Sequence, residues 1–196
     1  PGWSARSAHC AVVINDRLWL FGGAANGTRM NDVWYTDDGE HWTQRSPSAE
    51  WAGRLNSTGF EARGALWTIA GSTTAGGAQD AWYTNNGTTW SAPTVTAAFG
   101  KRYAHCAAYF NDKFWVFGGY VNGARSATTY TSDTGAAWTL AASTAPWSAR
   151  TEMQLIPHDG ALYLMGGATS SATKNDVWKS TDGVNWDLAA AAAPWK

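Results

Sequence analysis

The chain repeats itself every 48 residues, and that period restricts its possible folds more than any other feature. Arg6, Arg54, Arg102 and Arg150 keep the step, as do Trp42, Trp90, Trp138 and Trp186. Trp19, Trp67, Trp115 and Tyr163 form a third series, and Trp34, Trp82, Tyr130 and Trp178 a fourth. Trp3, Trp51, Phe99 and Trp147 open successive units at 3–50, 51–98, 99–146 and 147–194, and Trp195 starts a fifth rung, all within one domain of 1–196. A second order lies inside the first. Units one and three share His9-Cys10 with His105-Cys106, whereas units two and four share Gly64-Ala65-Leu66-Trp67 with Gly160-Ala161-Leu162-Tyr163. A pair of units has been doubled.

Within a unit the pattern is one of short strands. His9 to Ile14 is an apolar run, Asn15-Asp16 supplies a turn, and Leu18 to Phe21 is a second run ended by Gly22-Gly23. Val33-Trp34-Tyr35 and Trp42-Thr43 follow, separated by Asp38-Gly39, a pair that tolerates the positive φ of tight hairpins. No stretch has a helical period, and Ala189 to Ala193, close to Pro194, reads as an extended connector. Each unit is thus expected to be a four-stranded antiparallel meander. Apolar residues stand next to one another in these strands, as in sheets covered on both faces. Copies stacked face to face around an axis would supply both covers.

The motif residues resemble those of the kelch-repeat β-propeller family over the whole length. They are Arg6, Gly22-Gly23, Trp34 and Trp42 in the first unit, and Arg102, Gly118-Gly119, Tyr130 and Trp138 in the third. Unit two departs with Ala70-Gly71, and unit three has Thr128 where the others have Asp32, Asp80 and Asp176. The stretch Ser180-x-Asp182-Gly183-x-x-Trp186 also resembles the Asp-box turn of sialidase-type propellers, one residue short. The resemblance implies an all-β propeller with four kelch-type four-stranded antiparallel blades per chain. Family rings usually hold more blades than four, so an eight-bladed homodimer is the favoured expectation, with a closed four-bladed ring and a fragment as the other outcomes. A half ring would expose two apolar faces that two-fold pairing buries.

Charge narrows the partners. Fourteen Lys+Arg against 15 Asp+Glu leave a net charge of −1, so no basic field exists to attract nucleic acid or acidic lipid. No apolar run reaches the ~20 residues of a membrane helix. No secretory leader is visible, though three Asn-x-Thr sequons permit an exported protein; the compartment stays open.

Candidate ligand-binding residues come from the in-phase polar positions. Arg6, Arg54, Arg102 and Arg150 could form a ring of cations for an anionic ligand, or brace the backbone, and bracing is the stronger expectation. His9 and His105 could face each other across a channel, yet a buried structural role is expected and no metal site is assigned. Asn26 and Arg29, with Asn122 and Arg125, lie in loops after the glycine doublets, where the family often places ligand contacts. Only four glutamates are present and no nucleophile elbow, phosphate loop or metal cluster appears, so neither catalysis nor a cofactor is expected. The expected function is a recognition or assembly scaffold for a protein or carbohydrate ligand. A carbohydrate-active enzyme or lectin at the channel mouth, and a repeat module without a ligand, are the alternatives.

Overall fold

The computed structural model describes residues 2–195 and contains strands and turns but, among those residues, no helix. Sixteen strands make up four antiparallel sheets of four. In unit one these are β1 (Cys10–Ile14), β2 (Arg17–Phe21), β3 (Val33–Thr36) and β4 (Thr43–Ser46). Unit two has β5 (Thr58–Ala62), β6 (Ala65–Ile69), β7 (Ala81–Thr84) and β8 (Ser91–Thr94). Unit three has β9 (Cys106–Phe110), β10 (Lys113–Phe117), β11 (Thr129–Ser132) and β12 (Thr139–Ala142). Unit four has β13 (Gln154–His158), β14 (Ala161–Met165), β15 (Val177–Ser180) and β16 (Asp187–Ala190). Every strand falls 48 residues after its counterpart, so the sequence period is the period of the fold.

The turns explain the register. Each first hairpin has a two-residue turn with both residues at positive φ: Asn15-Asp16, Arg63-Gly64, Asn111-Asp112 and Asp159-Gly160. That geometry matches the twist of the flanking strands and fixes Val12 opposite Trp19 and Ala108 opposite Trp115. After the second strand the glycine doublet takes a left-handed path, and a Cβ at Gly23 would stand 2.7 Å from the Ser7 carbonyl. Unit two holds Ala70 at φ 51° in the same place. Two-residue hairpins follow the doublets in the first three units, for example Ala24–Ala25 against Thr28–Arg29, an addition that the sequence pattern presents only as a polar loop. The alanine run near the end is partly sheet: Ala189 and Ala190 close β16 and only the residues after them form the connector.

The core lies between the sheets. One apolar cluster joins units one and two through Phe21, Trp51 and Trp90, a second joins two and three through Trp67, Phe99 and Phe114, and a third joins three and four through Phe117, Trp147 and Leu164. Trp51 meets Trp90 at 86° and Trp147 meets Trp186 at 89°, edge to face, so large rings fill each gap between sheets. The first strands stand side by side in the order β1, β5, β9, β13, and no comparable contact joins β13 back to β1 among the described residues.

Candidate functional site

The first strands of all four units line a cavity of roughly 570 Å³, which gathers His9, Asn56, His105 and Glu152 where those strands begin. Both histidines reach it, as the repeat places them, but their surroundings differ. His9 is exposed at the edge of the row and its pKa is lowered by partial burial and by Arg6. His105, between two units, is 6% exposed, and neither ring nitrogen has a hydrogen-bond partner. Burial, helped by the charge of Arg102, pushes its pKa down to about 3, so the ring is neutral at ordinary pH. Cys10 and Cys106 follow on the same strands as buried free thiols, and burial pushes Cys10 up to about 11 and Cys106 higher still. No group of three metal-ligating side chains occurs among the described residues.

The four arginines are engaged inside their units rather than arrayed for an anion. Arg54 donates from Nη1 to the Ala70 carbonyl at 2.7 Å, and its two η nitrogens meet the Asp80 carboxylate at 2.7 and 2.8 Å. Asp80 also accepts the Trp82 indole N–H at 2.8 Å. Arg6 with Asp32 and Trp34, and Arg150 with Asp176 and Trp178, repeat the arrangement. Burial raises these carboxyls, but the hydrogen bonds from Arg and Trp outweigh it and hold them below the usual range. With both edges of each fork spent on carboxylate and carbonyl, the expectation of an arginine ring that binds an anion gives way to one of internal clamps. Arg102 is the exception in chemistry, not in place. It reaches the Phe99 and Gly118 carbonyls and has only Thr128, at 3.5 Å, where its sisters have an aspartate.

The loop arginines, by contrast, join units. Arg29 donates to the Ser72 carbonyl and Arg125 to the Ala168 carbonyl, both at 3.1 Å, each crossing to the following unit. Asn26 and Asn122, at φ 49° and 51°, shape exposed turns and are the members of this set that face solvent.

A glycosidase pair would need two carboxylates roughly 5–10 Å apart. Glu61 and Glu152 both reach the cavity wall. Glu152 stands level with Asn56 in the repeat, and Glu61 lies five residues further along, so about 16 Å of strand separates their heights. Glu61 is also tied to its own turn, accepting the Gly64 N–H at 2.8 Å.

A sharper recurring device is the turn between the last two strands of each unit. Ser180 Oγ accepts the Gly183 N–H at 2.8 Å, Asp182 accepts from Val184 and Asn185, and the Trp186 indole donates to the Gly183 carbonyl. Thr36-Asp38-Gly39-Trp42 and Thr84-Asn86-Gly87 build the same frame, so the Asp-box-like stretch is structural in this chain.

No curated protein matches the chain. The Kelch motif model matches residues 5–44, a stretch that begins beside the Arg6 clamp and ends past the Trp42 turn. Three further units repeat its strands and, with the substitutions at Ala70 and Thr128, its clamp positions, so the kelch motif matched in the first unit recurs as a pattern in all four.

Proposed function

We propose that this chain is a non-catalytic kelch-type propeller scaffold for recognition, four blades long, that completes an eight-bladed ring with a second copy of itself. The observation that carries the reading is the row of first strands: β1, β5, β9 and β13 pack in sequence, while among the described residues no comparable packing covers the outer sides of β13 and β1. The faces so left are apolar. Ile156 is 48% exposed, although its repeat counterparts Val12 and Ala108 are buried; Val13, on the other side of β1, is 64% exposed. Exposed apolar surface of this kind is what association removes.

Recognition is assigned to the cavity at the start of the first strands and to the exposed Asn26 and Asn122 turns. In the half ring that cavity has walls on one side, and a second copy would supply the other, doubling the His9, His105 and Glu152 set around a channel. A protein or carbohydrate ligand suits neutral imidazole, amide and carboxylate groups better than a polyanion does, because no free guanidinium fork is available there. The height difference between Glu61 and Glu152 favours binding over glycoside hydrolysis.

Light scattering on the purified chain tests the assembly. A mass of twice the 21.0 kDa chain supports the ring of two copies, and a mass of 21.0 kDa at all concentrations overturns it.

A further inference from the structure

Resting on that reading, we infer that the two copies join head to tail through the joint each chain already makes three times: the face carrying Arg6, Ala8 and Gly39 seats on the face carrying Glu152, Tyr163, Gly167 and Lys174 of the second copy.

The internal joints are built from the same backbone bonds each time. Gly23 N–H donates to the Arg54 carbonyl at 2.8 Å, Gly71 to Arg102 at 2.9 Å and Gly119 to Arg150 at 3.0 Å. Returning bonds run from Arg54 N–H to Met30, from Arg102 to Ala78 and from Arg150 to Ser126. A third set runs from Asn56 N–H to Ala8, from Ala104 to Asn56 and from Glu152 to Ala104. The same joint made once more, on the outer side of unit four, would take unit one of a second copy as its partner. It pairs Gly167 N–H with the Arg6 carbonyl, Arg6 N–H with the Lys174 carbonyl, and Ala8 N–H with the Glu152 carbonyl. Among the described residues these six groups make no backbone hydrogen bond of their own. Donors and acceptors at one end therefore match those at the other.

Side chains point the same way. In every internal joint a glycine of the following unit lies flush on an aromatic ring of the preceding one. A Cβ on Gly87 would stand 2.2 Å from Trp19, on Gly135 2.6 Å from Trp67, and on Gly183 2.6 Å from Trp115. The series has two loose ends: Tyr163, half-buried on unit four, and Gly39, with nothing within 4 Å of a Cβ. They are the missing partners of one another. The polar rung follows suit, since Thr58 Oγ1 donates to the His105 carbonyl at 2.9 Å and Gln154 and His9 hold the equivalent positions. A cavity of roughly 890 Å³ beside Gly167 and Lys174, with the 45% exposed Trp195 on its wall, lies at this same face. Trp195 and the second copy's Trp3 hold one repeat position, so Trp195 yields that slot when the copies meet. Each copy offers one face of each kind, so two joints related by a two-fold axis use both.

One position is weaker than its internal model. Arg63 reaches across its joint to the Tyr109 hydroxyl at 2.8 Å and toward the Asp112 carbonyl at 3.4 Å. At the joint between copies that place belongs to Asp159, opposite Val13 and Asp16, where no such bond forms.

The test compares the wild-type chain with Gly39→Asn, Gly27→Asn and Asp159→Arg by light scattering across a concentration series, with near-ultraviolet circular dichroism to verify folding. Gly39 and Gly27 have similar φ, 82° and 79°, and open space around them, and asparagine tolerates that region. The expected result is a dimer for wild type and Gly27→Asn, a folded monomer for Gly39→Asn, and a dissociation constant lower by up to roughly a hundredfold for Asp159→Arg, tenfold for one hydrogen bond gained at each of the two joints. A Gly39→Asn chain that dimerises like wild type overturns this joint and leaves the ring of two copies standing. A wild-type chain that is monomeric throughout overturns the ring itself, and the joint with it. Larger open assemblies that Gly39→Asn abolishes uphold the joint and overturn the closed ring.

Discussion

Arg102 Nη2 lies 3.5 Å from Thr128 Oγ1, at the one clamp of the four in which the buried arginine has no carboxylate. The tryptophan of the motif has changed together with the aspartate. Where Trp34, Trp82 and Trp178 donate indole N–H groups to an aspartate, unit three has Tyr130, and the Arg102 guanidinium instead lies 5.2 Å from the centre of that ring. Burial without an anion pushes its pKa down to about 10. Thr128→Asp is expected to stabilise the chain by about 1.5–3 kcal/mol, the range for a hydrogen bond to a charged group. Urea denaturation monitored by tryptophan fluorescence measures the change, and a loss of stability would refute the clamp reading of Arg102.

The converse substitution is Asp80→Asn. It removes the charge that faces Arg54 while keeping the size of the side chain, so a buried cation is left against a neutral amide. Breaking one partner of a buried pair costs about 3–5 kcal/mol, and the same denaturation experiment should give a value in that range. Arg17→Gln, which breaks the exposed pair with Asp37, is the control and should cost less than about 1 kcal/mol.

How far the sequence reveals this molecule depends on separation along the chain. The strands and their turns were readable because Asn15-Asp16, Gly22-Gly23 and the tryptophans lie within a few residues of what they organise. The in-phase aspartates were visible too, as was their loss at Thr128. Their bond to an arginine 26 residues earlier was not, because periodicity says that two series keep step without saying that they touch. His9 and His105 show the same limit from the other side. They are equivalent in sequence, yet one is exposed and the other sealed, because His105 lies between two described units whereas His9 stands at the outer side of the row among the described residues. The short hairpins at Ala24–Arg29 and its counterparts escaped notice since two-residue strands carry no alternation to detect.

Acid should weaken the fold through His105. Its folded pKa is depressed, from 6.5 to about 3, so below pH 6.5 the unfolded chain takes up a proton that the folded chain does not. Stability is therefore fully present above pH 6.5 and falls as the pH drops toward 3. His105→Met, with the residue that unit four carries as Met153 in the same place, should flatten the pH dependence of the denaturation midpoint between pH 6.5 and about 4. An unchanged slope would mean that His105 titrates normally and that the ring is not sealed.

The wedge tryptophans should differ in worth according to their neighbours. Trp90 is 3% exposed and sits edge-on to Phe21 and Trp51, filling the gap between units one and two. Trp42 holds the same place in unit one, on a side where no unit packs among the described residues; it is half-buried and its ring meets Trp3 at 5.6 Å. Trp90→Ala removes a ring from the middle of an apolar cluster and leaves a cavity that sheets on both sides cannot easily close, at a cost of about 3–5 kcal/mol. Trp42→Ala should cost less than half as much in the monomer, since water already reaches one side of the ring. Denaturant midpoints for the two variants, read at a protein concentration where the chain is monomeric, give the comparison. Equal costs would show that Trp42 is as enclosed as Trp90, and that the first unit already has a neighbour on its outer face.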